Sequence, residues 1–404
     1  MQFKKVMKRR TPGTRPSAIP SKSEPSTSAM IDNPITMTLR KSLLFLLLAG
    51  WAAPLFAQQT AVYTEANRLY KRGVEFHEKG LLNKAITEFE ALTALDFPVN
   101  EPEADLLVAQ AEFYIAKSTL MLDQPEGEKM IVEFVRRRRP DPITDQALFE
   151  IADFYFKEGD YDKALEYFGE IPTLAITRGR RSEIRFKMGY AHFANKDFAN
   201  AEAMFEQIKD LRSDYYYPTN YYLGLCHFFE GDYQNAIEAL RIANEDSRYQ
   251  KYTPFYLAQI YFAEQRYDEL IAFVEPKLQE RDIRDKEELS QLLGQSYFEK
   301  GMYQEALPHL KEYAQRASKL REEEFYQLGY TQYRTGNYAE AVESLKPLST
   351  VNSAIGQSAM FYMADAYLKL GDKQNALTAL AEAKRMNFDP AITEEALFNH
   401  GKLA

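Results

Sequence analysis

Apolar residues recur at i, i+3, i+4 and i+7 through "DYQNAIEALRIAN" (232–244), the spacing that gathers one buried stripe on an α-helix. The stretch before it, "TNYYLGLCHFFEG" (219–231), is apolar over a broader face, as expected of a helix covered on more than one side. Gly231 stands between them, where a residue able to take positive φ ends the first helix. Asp232 follows and offers a side-chain oxygen to the unpaired N–H groups that open the second helix. The pattern predicts a helix, a tight turn and a second helix folded back on the first.

The phrase "GDYQNAIEAL" (231–240) returns as "GDYDKALEYF" (159–168), "GMYQEALPHL" (301–310), "GNYAEAVESL" (336–345) and "GDKQNALTAL" (371–380). Its opening slot is filled in turn by Gly80, Gly159, Lys196, Gly231, Gln265, Gly301, Gly336 and Gly371, spaced by 37, 35, 34, 36, 35 and 35 residues from Gly159 onward. Five residues later stands Ala85, Ala164, Ala201, Ala236, Leu270, Ala306, Ala341 or Ala376, and four further on a large apolar residue from Phe89 to Leu380. Seven before the slot comes a small residue: Gly73, Ala152, Gly189, Gly224, Ala258, Gly294, Gly329 or Ala364. Asp160, Asp197, Asp232, Asn337 and Asp372 are the predicted helix caps. Small residues admit close helix approach, large ones fill the gap, and a single unit cannot bury its own apolar face, so units must stack.

On Leu293, Gly294, Tyr297, Ala306 and Leu310, and again on Met188, Gly189, Ala201 and Phe205, the chain resembles the tetratricopeptide repeat family. The resemblance covers roughly 61–404 and implies an all-α, right-handed superhelical solenoid of about nine antiparallel helix pairs. The family's early Trp is absent, its terminal Pro is mostly missing, and 100–140 is only weakly repeat-like, with Gln124-Pro125 in place of the usual turn. That segment is expected to be an irregular repeat and a bend point. At the other end, 392–404 reads as an incomplete last repeat, with Gly401 in the small slot. The expectation is a longer chain or an array completed by another domain, against the alternative of a frayed terminal helix.

Charge and the N-terminus set the compartment. "MTLRKSLLFLLLAGWAAPLFAQQ" has Arg40 and Lys41, an apolar run from Leu43 and Ala57 at a cleavage position, so 37–57 reads as a signal peptide. Residues 1–36, rich in Ser, Pro, Lys and Arg, read as disordered, with Met37 as an alternative start. Removing 1–57, with nine basic and two acidic residues, takes the formal charge from −9 to −16. So acidic a chain repels nucleic acid and anionic lipid. The mature chain, with no further long apolar run, is expected in the periplasm or at the outer membrane of a Gram-negative bacterium; its partner is a protein or peptide, soluble or membrane-bound.

Composition offers little chemistry. One cysteine, Cys226, excludes an internal disulfide, and it lies in an apolar helix. The five histidines are scattered one per repeat, His192 and His227 in slots where other repeats place Phe or Tyr. No phosphate loop, zinc motif or nucleophile elbow occurs, so no enzyme activity, cofactor or metal is expected. The family resemblance places the first helix of each unit on the concave surface. The groove it implies is lined by Phe149, Asp153, Phe186, Tyr190, Tyr221, Phe255, Gln259, Gln291, Gln295, Tyr326, Tyr330, Phe361 and Asp365, with packing between helices as the competing role for the aromatics. Mostly aromatic, Gln or acidic, the row lacks the Lys and Asn of the family's carboxylate clamp. Arg136, Arg137, Arg138 and Arg139 form the one basic run, either a solvated helix end or an anchor for an acidic partner segment. The functional expectation is a non-enzymatic scaffold in outer-membrane or secretion-machinery assembly; the alternative is an accessory or substrate-holding module of an envelope enzyme or polysaccharide system whose active domain lies outside these residues.

Overall fold

The periodic segments do form paired helices. The computed structural model describes residues 53–98, 101–172 and 178–404. The disordered segment expected at 1–36, and 37–52 of the expected signal peptide, lie outside the described residues. Nineteen α-helices and no strand occur among the described residues. They divide into two compact units, 53–219 and 220–404. The N-terminal unit holds α1 (Ala53–Glu78) with α2 (Leu82–Thr93), α3 (Pro102–Met121) with α4 (Glu126–Arg138), α5 (Ile143–Glu158) with α6 (Tyr161–Gly169), and α7 (Arg178–Ala194) with α8 (Phe198–Glu206). The C-terminal unit takes in most of α9 (Tyr216–Glu230), then α10 (Tyr233–Ala243), α11 (Thr253–Ala263), α12 (Tyr267–Lys277), α13 (Lys286–Glu299) and α14 (Tyr303–Arg316). It continues through α15 (Glu322–Arg334), α16 (Tyr338–Leu345), α17 (Ala354–Lys369) and α18 (Lys373–Met386) to a single helix, α19 (Pro390–Leu403).

Each turn is built as its residues dictate. All eight slot residues have positive φ, including Lys196 (63°) and Gln265 (59°), which carry a Cβ in a conformation that favours glycine. The next residue's N–H returns to the carbonyl five residues back, as in Asp160 N to Tyr155 O (3.0 Å) and Asp232 N to His227 O (2.9 Å), closing the helix end. Asp160, Asp197, Asp232 and Asp372 then accept from the backbone N–H three residues on. Asn337 does not: its amide donates to Thr335 Oγ1 (2.9 Å), so this predicted cap is corrected.

The segment 100–140 is also a helix pair. Its hinge is Asp123 (φ 55°), not Gln124-Pro125, and Gln124 N reaches Thr119 O at 3.3 Å in the shared pattern. The close approach sits one residue early, at Gly127, where a Cβ would stand 2.5 Å from the Leu120 backbone. Glu128 occupies the usual alanine slot. Its carboxylate accepts from the Tyr155 and Tyr167 hydroxyls (2.6 Å each) and from Lys163 Nζ (2.8 Å), tying α4 to α5 and α6. Burial opposes ionisation of Glu128, but these donors outweigh it and hold its carboxyl at about 2.

Packing follows the small-to-large rule. A Cβ on Gly73, Gly189, Gly224 or Gly329 would meet Phe89, Phe205, Leu240 or Leu345 at 2.5–2.7 Å, each the large residue of its own pair. These glycines set the distance between paired helices. A second device bridges the hinges: Phe156–Tyr161, Phe193–Phe198, Phe228–Tyr233, Phe262–Tyr267, Phe298–Tyr303 and Tyr333–Tyr338 have ring centroids 5.5–6.4 Å apart.

Candidate partner-binding site

In the N-terminal unit the predicted row is largely closed. Phe149 and Phe186 are buried, at 6% and 4% exposure. Phe149 packs 6.0 Å from Phe168 beneath the Arg180 guanidinium (4.4 Å) and Lys187 Nζ (5.0 Å). Phe186 meets Phe205 and Tyr215. Asp153 is buried and pairs with Lys187 (2.5 Å) and Lys157 (2.7 Å), while Lys187 also reaches Glu183 (2.8 Å). Burial raises the Asp153 carboxyl, but both ammonium groups outweigh that and hold it below its ordinary value. A charged knot and two interior rings therefore fill the row between α5 and α7, leaving little surface for a partner. Tyr190 is half-buried against Phe156 (5.5 Å) and Tyr161 (5.8 Å).

Most of the basic run is engaged as well. Arg137 contacts Glu112 (3.2 Å), Arg138 contacts Asp105 (2.6 Å) and Glu112 (3.2 Å), and Arg139 contacts Glu170 (3.1 Å), leaving Arg136 exposed. These bridges tie α4 to α3 and to the end of α6. Beside them a cleft of about 700 Å³ is lined by Phe149, Ile171 and Ile184 together with the polar Arg139, Asp145 and Arg180.

In the C-terminal unit more of the row stays open. Tyr221 stacks on Tyr249 at 4.7 Å, with Tyr252 and Tyr256 near, and burial raises its hydroxyl well above the ordinary value. Phe255 and Gln259 are half-buried. Gln295, 8% exposed, donates to Gln327 (3.1 Å), Gln291 donates to Glu324 (2.9 Å), and Asp365 accepts from Tyr333 (2.7 Å). These three polar positions bind neighbouring helices to each other. Tyr326 and Tyr330 lie nearly parallel, 5.6 Å apart, and Phe361 packs edge-on to Tyr362; all are half-buried. Tyr330 also meets Tyr362 (4.6 Å), Tyr303 (5.5 Å) and Phe298 (5.9 Å). The exposed Arg334 donates to the Tyr330 hydroxyl (2.8 Å) and lies 4.5 Å over the Tyr303 ring. Sequence reasoning missed Tyr303, Tyr362 and Arg334. Tyr303 had a signal, the aromatic two residues after six of the eight hinge slots; Arg334 had none.

With this geometry in hand, a tetratricopeptide repeat model matches residues 326–390 and a second matches 145–171. The chain carries tetratricopeptide repeats. Among solved structures it is similar to a tetratricopeptide repeat protein from Parabacteroides merdae, 15% identical over 67% of this chain and 99% of that one, with a TM-score of 0.37. It is also similar to the C-terminal part of a TPR repeat-containing protein from Cytophaga hutchinsonii, 15% identical over 61% and 98%, with a TM-score of 0.43. No curated protein matches the chain.

Repeats of this family generally serve as a non-catalytic scaffold for protein or peptide partners. The described residues of these repeats hold no group of three or more His, Cys, Asp or Glu placed for a metal ion. His77 packs against Ser118 Oγ (3.0 Å), and burial, aided by Lys117, lowers its imidazole to about 4. His309 contacts Ser290 (2.8 Å) and is likewise lowered by burial. Cys226 is buried within α9. No helix among the described residues is long and apolar enough to cross a membrane.

Proposed function

We propose that this tetratricopeptide repeat protein is an exported scaffold of a bacterial envelope, active in outer-membrane or secretion-machinery assembly, that holds a partner segment against the first helices of its repeats. Export rests on the charged, apolar and small-residue pattern of 37–57. The observation that carries the contact site is the half-buried set Tyr326, Tyr330 and Phe361 with the exposed Arg334 beside it. Rings already held by neighbours lose little freedom on binding, and the guanidinium over them supplies one cation to orient an apolar segment bearing a carboxylate. Phe255, Gln259 and Tyr190 extend the reading, whereas Phe149, Phe186, Tyr221 and Gln295 serve it chiefly by packing. A photo-crosslinking residue at Ser358, one turn before Phe361 and beside Tyr326, followed by pull-down from the native envelope, tests it. One discrete partner is expected, with capture lost in a Tyr326→Ala/Phe361→Ala variant of unchanged helicity. Capture that survives this double substitution would remove the site.

A further inference from the structure

The cleft of about 700 Å³ in the N-terminal unit keeps two opposite charges apart. Asp145 of α5 and Arg180 of α7 both line it, yet they do not pair. Among the described residues no donor reaches the half-buried Asp145 carboxylate within hydrogen-bond or ion-pair distance. Burial raises this carboxyl above its ordinary value, and the charge of Arg139 offsets only part of that. Arg139 is committed elsewhere, since its guanidinium donates to the Glu170 carboxylate (3.1 Å) and carbonyl (3.4 Å). Arg180 is exposed, with its guanidinium 4.4 Å over the Phe149 ring. The same lining includes the buried Phe149, Ile171 and Ile184. A half-buried carboxylate without a donor is costly until something supplies one.

We propose that this cleft binds a small zwitterion with an apolar body, its primary ammonium against Asp145 and its anionic group against Arg180. Charge singles out this ligand. A simple anion would bring a second negative charge beside Asp145 and leave that carboxylate unpaired, and a simple cation would meet Arg139 and Arg180. A molecule carrying both signs satisfies both sides of the lining. The planar fork of Arg180 suits a carboxylate or a phosphodiester, each of which it can hold through two parallel hydrogen bonds. The volume falls within the roughly 300–1,000 Å³ of small-ligand sites, and Phe149, Ile171 and Ile184 call for an aliphatic body. Two sources carry this chemistry: a short peptide of apolar residues with free termini, and a lysophospholipid with an ethanolamine head. The site shares no residue with the set Tyr326, Tyr330, Phe361 and Arg334, so either assignment can fail without the other.

Isothermal titration calorimetry on the full chain tests it, with circular dichroism as the folding control. The probes are trileucine and lauroyl-lysophosphatidylethanolamine, the latter below its micellar concentration. At least one should bind with a Kd on the order of 10–100 µM, and the one that binds identifies the source. Removing the ammonium, in N-acetyl-trileucine or in lauroyl-lysophosphatidylglycerol, should weaken binding by about tenfold or more. Asp145→Asn should weaken the zwitterion by a similar factor and leave the ligand without an ammonium unaffected. Arg180→Gln should weaken the zwitterion by about fivefold or more at unchanged helicity. No binding of either probe up to about 2 mM overturns the proposal. So does binding that survives loss of the ammonium or Asp145→Asn, because the cleft would then read the apolar body alone.

Discussion

Gly189→Ala decides whether the small-to-large interlock sets the spacing of a pair. On helix propensity alone the change should stabilise α7, because glycine in a helix interior is disfavoured relative to alanine by about 0.5–1 kcal/mol. The contact opposes it. A Cβ at position 189 would lie 2.5, 2.8 and 2.9 Å from Phe205 Cε1, Cδ1 and Cζ, against an optimum of roughly 3.5–4 Å for carbon pairs. The ring must retreat by about 1 Å, and Phe205 is fully buried, so it has no free space to enter. Overpacking of this kind costs about 1–3 kcal/mol, leaving a net loss of about 1–2 kcal/mol. In a Phe205→Ala background the clash is gone, and the same substitution should stabilise by up to ~1 kcal/mol. The double-mutant cycle should therefore return a coupling of about 2–3 kcal/mol. Urea unfolding followed by far-ultraviolet circular dichroism, with hydrogen exchange of α7 and α8 amides to localise the effect, measures it. A Gly189→Ala protein as stable as wild type, or an equal effect in both backgrounds, would refute the interlock.

Hinge conformation predicts opposite signs at two equivalent positions. Lys196→Gly should stabilise by about 0.5–1 kcal/mol by relieving a positive φ, while Gly231→Ala (φ 85°) should cost about 1–2 kcal/mol, both read from urea midpoints. Cap geometry separates two superficially alike residues: Asp232→Ala should lose about 1 kcal/mol, and Asn337→Ala should be nearly neutral in the same assay. His77, held near 4 by burial against an ordinary 6.5, is neutral in the fold over a range where the unfolded chain is protonated. Its contribution is fully present above pH 6.5 and is lost as pH falls towards 4, with an upper bound of about 3 kcal/mol that partial exposure reduces to about 1–2. Urea midpoints at pH 7.5 and 4.5 should accordingly fall less in His77→Gln than in wild type, and equal falls would remove the assignment.

The hinges were legible because their chemistry is local. A positive φ beside a cap leaves Gly-Asp, and even Lys196 and Gln265 were placed correctly by their interval rather than their type. The pair at 102–138 was harder, because Asp123 stands in the hinge slot and Glu128 in the alanine slot, with the close approach moved to Gly127. Sequence placed Phe149 and Gln291 on the first helices but could not show what covers them. Phe149 is closed over by Lys187 and Arg180, and Gln291 is tied to Glu324, both through residues 31–38 positions away whose side-chain directions no local pattern reports. Arg138 reads as a free cation only until Asp105 and Glu112 are seen beside it.

Rings used for packing constrain how a partner could be held. Tyr330 touches Phe298, Tyr303, Tyr326 and Tyr362, so much of its surface already serves the contact between repeats. Half-buried rings of this kind offer edges rather than whole faces, and no single one can supply a deep anchor pocket. Binding energy under the proposed reading must then be spread along the row. Removing Tyr326 or Phe361 alone should weaken capture by about 1 kcal/mol, roughly fivefold, and removing both should weaken it about 25-fold if the two act independently. The measurement is titration of the captured partner segment against each variant by fluorescence anisotropy. Tyr330→Phe, which keeps the ring packing but drops the hydroxyl bonded to Arg334, should leave stability nearly unchanged while loosening any partner carboxylate held there. A single ring substitution that abolishes binding while the fold and the other rings persist would refute this spread and show that one ring is the anchor.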